Sequence, residues 1–450
     1  MPGTTHIIDA PLAPGRFPIL GHLPKLAAHR LEFLQELRSG GDIVRIQLGR
    51  RSMYVLNSPE AIYQVLVAQS RHFGKGLLFD RARPFVGNGI ITSDGEFHRR
   101  QRRALQPAFH PDRIAEYTGA LADAARRQID SWCTGRIMAM DREMRRLASA
   151  MLLAALFPSG TGAAANQTVE DIGERVSGHL DVLVRGTLRA TLLPSALAAL
   201  PTRGRRRFLT AAAGLRRLAD SAVQQARHSP GLQNGMLALM LTAPGGMSDQ
   251  QARDELLAIL IAGVETTSTT LAWALYALGR HPEIAELVSR EAHATESGVI
   301  DPTALPYTRR FLQEVLRLHQ PNWILMRRAL DSVRICSIEL PAGAEVIYSA
   351  ATLHRDPVYF PDPLRFDPDR WLTRPEKDLP RCAYIPFAVG NRKCIGDSFA
   401  WAEMMVAITT IMSRWQLHPS SGHTVRAVAD AQIHPDGLPM FVTSREGLVG

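Results

Sequence analysis

Hydrophobic positions in this 450-residue chain recur mainly every three or four residues, the period of amphipathic helices. The spacing predicts helices over 59–69, 95–106, 112–132, 138–156 and 168–190, and again over 398–412. Alternation replaces it in DIVRIQLGRRSMYVLN (42–57), which reads as a hairpin turning at Gly49-Arg50-Arg51. Strand-like pieces return at 333–339, 344–348 and 438–443, so the fold class expected is mainly α with small β-sheets at its edges. The clearest element is a helix over 249–278, capped by Ser248 with Gln251 completing a capping box and ended by Gly279 and Pro282. About thirty residues at about 1.5 Å each make a rod of about 45 Å. It is apolar on nearly every side from Leu256 to Val264, so it belongs in an interior.

Composition narrows the class without choosing a function. Hydrophobic residues at 46% and charged residues at 21% fit a folded protein, with disorder expected only at the ends. One domain is expected over 1–450, with residues 1–25 a Pro-rich N-terminal extension. That extension lacks a basic segment followed by an apolar run, so it reads as neither a signal peptide nor a membrane anchor. LLAILIAGV (256–264) is far short of the roughly 20 apolar residues that span a bilayer. The four cysteines have no CxxC spacing, which fits a reducing cytoplasm. The net charge of +9, with clusters RRQRR (99–103) and RGRRRF (203–208), suits an acidic partner of unspecified kind. SGTGAAA (159–165), with Asp181 downstream, matches a dinucleotide fingerprint formally, but it follows a helical pattern and reads as an interhelical loop.

Three constellations carry chemistry. Glu265-Thr266-Thr267-Ser268-Thr269-Thr270 puts an acid and five hydroxyls into the buried helix, where unpaired they are costly. They are either a polar face bonded back to the previous turn or an acid–alcohol pair that widens the helix and relays protons beside Gly263. In Glu314-Val315-Leu316-Arg317 the i, i+3 spacing sets acid and guanidinium on one face. Alone this is a surface ion pair, but PDPLRFDPDRW (361–371) supplies Arg370 as a second cation to bracket Glu314. In PFAVGNRKCIG (386–396), Cys394 precedes a helical pattern, a position that favours thiolate. Its glycines allow the backbone to turn tightly and approach a large flat ligand. A lone cysteine is more often a small hydrophobe, a reading that leaves these neighbours unexplained.

Together the three resemble the cytochrome P450 family, the haem-thiolate monooxygenases, over essentially the whole chain. AGVETT (262–267) is similar to its oxygen-activation motif, EVLR (314–317) with FDPDRW (366–371) to its Glu-Arg-Arg triad, and PFAVGNRKCIG to its haem-binding loop. The resemblance implies one P450-type fold with the long helix over the haem. It implies non-covalent haem b with Cys394 as axial iron ligand, packed by Phe387, Gly390, Arg392 and Gly396, and O2 as co-substrate. Thr266 would hydrogen-bond dioxygen and Glu265 would help to deliver protons, while Glu314, Arg317 and Arg370 are structural. His98, Arg102, Arg327 and Arg392 are the candidate partners of the haem propionates. Ala388 stands where the family most often has glycine, a change tolerable if the local φ is negative.

By the same resemblance the substrate pocket is walled by Phe79, Phe85, Ile90, Ile259, Ala262, Trp323, Ile324 and Leu438, each equally readable as plain core. Mainly apolar and bulky, they suit a compact hydrophobic substrate. The N-terminal and 93–110 stretches look most like bacterial members that oxidise terpenoids such as sesquiterpenes in specialised metabolism, including antibiotic biosynthesis. A fatty acid, steroid or polyketide remains an alternative. Electrons would come from a ferredoxin and its reductase, docked on the remaining arginines of RRQRR unless these are simply a solvated face. The expected protein is a cytoplasmic monomer with no nucleic acid partner and no membrane span. Two other classes compete: a non-catalytic haem sensor, which needs Cys394 but neither Glu265 nor Thr266, and a nucleic-acid-binding helical protein, which explains the charge but not the cysteine loop.

Overall fold

The computed structural model describes residues 9–157, 200–228, 235–243, 246–294 and 301–445, with short helical pieces at 175–176, 178–180, 182–183 and 186–187. SGTGAAA, Asp181 and much of the helix expected at 168–190 lie outside the described residues. The helices used below are α1 (Leu77–Val86), α2 (Gly95–Leu105), α3 (Pro111–Asp130), α4 (Met140–Leu156), α5 (Arg203–His228), α6 (Asp249–Arg280), α7 (Pro282–Ala294), α8 (Pro306–Leu318) and α9 (Asp397–Arg414). The strands are β1 (Ile43–Leu48), β2 (Arg51–Leu56), β3 (Phe73–Gly74), β4 (Ile137–Ala139), β5 (Leu325–Ala329), β6 (Val333–Ile335), β7 (Ile338–Leu340), β8 (Glu345–Tyr348), β9 (Trp415–Pro419), β10 (Ala427–Ala429), β11 (Ile433–Pro435) and β12 (Pro439–Ser444). They fall into two compact units, one drawn from Met1–Asp80 and Leu316–Cys394, the other from Arg81–Val315 and Ile395–Gly450.

The second unit is built around α6, which packs against α4 and α5, while α3 lies on both α4 and α9. The capping box forms as expected: Ser248 Oγ accepts from the Gln251 N–H at 3.3 Å and Gln251 Oε1 accepts from the Ser248 N–H at 3.1 Å. The helix runs past the expected stop at Gly279 to Arg280. Gly279 serves close packing instead, since a Cβ there would lie 2.7 Å from Met440 Cε and 3.0 Å from the Pro419 ring. Gly263 does the same against α4, where an added Cβ would meet Leu152 at 2.8 Å. By length and composition α6 passes as a bilayer-spanning helix, longer than its apolar run suggested, but 78% of its most apolar window is buried inside the protein. α5 begins in RGRRRF and buries Phe208, Leu215, Ala219 and Val223 at helical spacing, a stripe absent from the expected elements. A small sheet, β4-β12-β9, completes the unit with the hairpin β10-β11.

The first unit holds a five-stranded sheet in the order β1-β2-β8-β5-β3, with β2 and β8 parallel and the other pairs antiparallel. Leu48 faces Arg51, so the hairpin turn is Gly49-Arg50, one residue tighter than expected, and Gly49 takes φ +61°. Ser58 caps the helix Pro59–Tyr63, whose continuation Gln64–Ala68 is a wide π-turn closed by Gln69 N–H to the Gln64 carbonyl at 2.8 Å. On β5 the two-residue period sends Arg327 and Arg328 to opposite faces. Arg328 pairs with Asp80 at 2.7 Å and with Glu345 at 2.5 Å, whereas Arg327 is buried.

The irregular chain from 354 to 394 has few ladder bonds, and buried main-chain groups there need side-chain partners. Arg317, fully buried, donates from Nη1 to the carbonyls of His354 (2.9 Å) and Pro363 (2.8 Å) and from Nη2 to that of Arg365 (3.2 Å). Arg370 donates to the carbonyls of Pro361, Asp362 and Arg365, so both guanidiniums share one acceptor. Glu314, also fully buried, sits one turn before Arg317 on α8. Arg317→Met strands these acceptors and is expected to lower the unfolding free energy by about 3–5 kcal/mol. Urea denaturation checks this, and a loss below about 1 kcal/mol would show that the carbonyls find other donors.

Candidate functional site

The loop around Cys394 is shaped by contacts inside the first unit. Ile385 N–H donates to His354 Nε2 at 2.9 Å, Gln320 donates to the Pro386 carbonyl at 3.0 Å, and Arg392 donates to the Phe73 carbonyl at 2.8 Å. Burial, helped by Arg317, pushes His354 down to about 3, so the imidazole is neutral and free to accept. The Cys394 N–H closes the loop onto the Phe387 carbonyl at 2.9 Å, and the Cys394 side chain is exposed. Phe387 is half-buried beside it. Burial pushes the thiols of Cys336 and Cys382 up to about 11, which disqualifies both as ready thiolates. Cys133 is exposed but sits in the turn after α3, bonded weakly to the Ser131 carbonyl at 3.8 Å.

The structure adds to two readings of this loop. Ala388 adopts φ +55°, the left-handed region that a Cβ disfavours, and not the negative φ that would make alanine harmless. Gly390, at φ +75°, makes room for protein: a Cβ there would lie 2.0 Å from the Leu66 carbonyl of the π-turn. Gly396 caps α9 at φ −95°, and an added Cβ would only touch the Phe109 ring at 3.4 Å. Gly390 thus fits the loop to its own chain.

In the second unit, the acid and hydroxyls of α6 split between the two readings. Thr266 Oγ1 donates back to the Ala262 carbonyl at 2.5 Å, Thr270 to that of Thr266 at 2.9 Å, and Ser268 to that of Glu265 at 3.2 Å. Thr267 and Thr269 reach outward, to Glu403 Oε2 at 2.9 Å and Gln432 Oε1 at 3.0 Å. The expected widening is not seen, since residues 249–280 form one continuous α-helix. Glu265 is buried and faces Arg145 of α4 at 3.6 Å. The side bearing Ala262, by contrast, is open: Ala262 is exposed and Ile261, Gly263 and Thr266 are half-buried in an otherwise buried stretch.

The candidate cations divide between the units. In α2, Asp94 caps the helix, His98 is buried and Arg102 half-buried one turn on, while Arg99 and Arg103 point outward and share Glu96. In the first unit Arg327 is 5% exposed, donates to the Met326 carbonyl at 2.6 Å, and pairs with no carboxylate among the described residues. A buried guanidinium without a counter-charge is expensive and suits an anionic group such as a haem propionate. In the first unit an exposed cysteine on a fixed loop and an uncompensated buried cation suit haem, and in the second unit so does the open strip on α6. Among the described residues no cluster of three or more His, Cys, Asp or Glu side chains could hold a metal without it.

Of the eight expected wall residues, Trp323 and Leu438 are 1% exposed and belong to the cores, where Trp323 lies under Arg30 and the Leu438 N–H bonds Asp141 Oδ1 at 3.1 Å. Ile259 is 7% exposed, and Phe79, Phe85, Ile90 and Ile324 are partly open. Lys75 lies over the Phe79 ring, and the Phe85 ring packs edge-on against Phe208 at 4.6 Å between centroids. Arg145 and Glu403 escaped the sequence reading. Glu403 had a visible signal, a lone acid in the apolar run of α9. It is fully buried, its Oε1 has no hydrogen-bond partner among the described residues, and burial pushes its carboxyl up to about 8, with Thr267 pulling the other way.

Two measurements follow from these environments. Ala388→Gly should raise the unfolding free energy by about 1 kcal/mol, the relief of a left-handed Cβ less the freedom glycine gives the unfolded chain; an unchanged or lower urea midpoint would show that the loop carries no such strain. The folded Glu403 carboxyl binds its proton more tightly than the unfolded one, so its contribution is complete below pH 4.5 and is lost as pH rises towards about 8. The slope is about 1.4 kcal/mol per pH unit at its steepest. Glu403→Gln should flatten the decline in stability between about pH 6 and about pH 8, and equal declines in both proteins would assign it to other groups.

Comparison with known proteins agrees with this chemistry. A cytochrome P450 family model matches residues 11–436. The chain is 38% identical over 444 residues to cyclooctat-9-en-7-ol 5-monooxygenase of Streptomyces melanosporofaciens, covering 96% of this chain and 95% of the relative. It is 36% identical to cyclooctatin synthase of the same species, over 92% and 91%, and 32% identical to pentalenene oxygenase of Streptomyces avermitilis, over 98% of each. With the thiolate loop, the buried polar segment of α6 and the Arg317–Arg370 scaffold all present, the chain belongs to the cytochrome P450 family of haem-thiolate monooxygenases.

Proposed function

We propose that this monooxygenase inserts one oxygen atom of O2 into a C–H bond of a cyclic terpenoid, and that Cys394 would supply the thiolate that holds its haem. The loop 386–396 carries the reading, because it is held in shape by His354, Gln320 and Arg392 and leaves Cys394 exposed. Haem bound there supplies oxidising power that no side chain has, and thiolate donation favours O–O cleavage. Arg327 and Arg392, with His98 and Arg102 on the inner face of α2, are the partners for its propionates. Phe387 packs beside the thiolate, and Gly390 and Gly396 keep the loop close to the chain.

Thr266 presents the hydroxyl on the open side of α6, and its present acceptor, the Ala262 carbonyl, lets it turn outward and donate a proton from Oγ1. Glu265, positioned by Arg145, is the acid that would pass the next proton on. Ile90, Ile259 and Ala262 of the second unit are apolar, as are Phe79 and Ile324 of the first, which favours a hydrophobic substrate. Two relatives are named for acting on cyclooctat-9-en-7-ol and pentalenene, which supports a cyclic terpenoid over a fatty acid. Electrons come from an outside redox partner, a ferredoxin with its reductase, for which exposed Arg99, Arg100 and Arg103 offer a basic face that salt would screen. The working form is a cytoplasmic monomer.

The reduced holoprotein under carbon monoxide should show the red-shifted band of thiolate-ligated haem, and Cys394→Ala should abolish it. A wild-type protein without that band defeats the assignment. Titrating the ferric protein with cyclic sesquiterpenes and diterpenes should shift the Soret band, and silence across such a panel removes the terpenoid.

A further inference from the structure

Asp254 and Glu255 are the buried acids of α6 that the proposed chemistry leaves unused, at 6% and 1% exposure. Both are turned onto the main chain of residues 87–92. Asp254 Oδ2 accepts from the Asn88 N–H at 2.9 Å, and Glu255 Oε2 accepts from the Ile90 N–H at 2.7 Å. The turn is shaped for this approach. Gly87 has φ +83°, and a Cβ on it would lie 2.3 Å from the Asp254 carboxyl carbon. A Cβ on Gly89 would lie 2.4 Å from the Asp254 carbonyl oxygen and 3.0 Å from Ala258 Cβ. Behind the turn, Thr92 Oγ1 donates to the Gly87 carbonyl at 2.6 Å and Arg83 donates to the Thr92 carbonyl at 2.7 Å. Arg253 holds the other Asp254 oxygen at 3.2 Å. Charge-assisted bonds donated by main-chain N–H groups to two carboxylates, in a buried setting, are the strong kind.

Position on the helix gives this clamp its meaning. Glu255, Ile259, Ala262 and Thr266 follow one another at four-, three- and four-residue spacing, so they share one face. About eleven residues at about 1.5 Å put Glu255 about 16 Å along the axis from Thr266. We propose that Asp254 and Glu255 are specificity-positioning residues: they fix the 87–92 turn on α6 as a rigid end wall, which limits substrate length measured from Thr266. This rests on the monooxygenase reading above and deepens it. A wall set in advance selects a compact, ring-fused hydrocarbon, whose shape is itself fixed, and turns away an extended chain of equal carbon number.

The test uses the ferric holoprotein and two probes, a tricyclic sesquiterpene hydrocarbon and a linear C15 isoprenoid alcohol. Hydrogen exchange at the Asn88 and Ile90 amides reads the clamp, and the ratio of spectral dissociation constants for the probes reads discrimination. Wild type should protect both amides and prefer the ring compound, and Glu255→Gln, which keeps an acceptor, should do the same. Glu255→Leu should speed exchange at Ile90 at least tenfold and cut the preference at least tenfold. Gly89→Ala wedges the turn away while leaving both carboxylates in place, and it should repeat the result if Glu255→Leu fails to fold. Fast exchange in wild type, or a preference unchanged once the amides have become fast, overturns the proposal. A missing thiolate band under carbon monoxide would instead overturn the underlying reading, and the exchange data tell the two failures apart.

Discussion

The helix α6 has to carry a carboxylate and five hydroxyls through a protein interior, and much of its unit is arranged around that burden. Three hydroxyls bond back along the helix. The remaining groups need partners from elsewhere: Glu403 on α9 for Thr267, Gln432 for Thr269 and Arg145 on α4 for Glu265. Successive residues of an α-helix are about 100° apart, so partners on different elements fix the rotation of α6 closely. Thr266 is then left on the side where Ala262 is exposed. The acid–alcohol pair is oriented by its neighbours' bonds as much as by its own.

The first unit solves a different problem, how to hold chain that is neither helix nor strand. Arg317 and Arg370 collect carbonyls from 354–365, and a neutral His354 accepts the Ile385 N–H while its own carbonyl is held by Arg317. The histidine must be uncharged for this, and burial beside a guanidinium keeps it so. Arg327, buried and paired with no carboxylate among the described residues, lies on the sheet strand next to Arg328, which has two.

Features with a local signature were legible in the sequence: the capping box at Ser248, the three- and four-residue periods, the spacing around Cys394 and the buried polar run. What escaped depends on parts of the chain distant in sequence. Gly279 has the same local signature whether it stops a helix or lets Met440 approach one. Nothing in PFAVG reveals that Gly390 meets Leu66 or that Ala388 takes a positive φ. Trp323 is as apolar in a core as in a pocket wall, and burial alone separates the two. Glu255 and Glu403 are single acids whose partners come from another turn and another helix.

Several of the bonds that shape the thiolate loop run from protein to protein. Leu66 fills the space beside Gly390, Phe73 receives Arg392, and Gln320 holds Pro386. These contacts offset part of the conformational entropy of ordering the segment. A loop held this way by its own chain is suited to receive haem with little further ordering. Retention of the cofactor becomes a property of the whole first unit, and substitutions as remote from Cys394 as the π-turn at Leu66 can speed its escape.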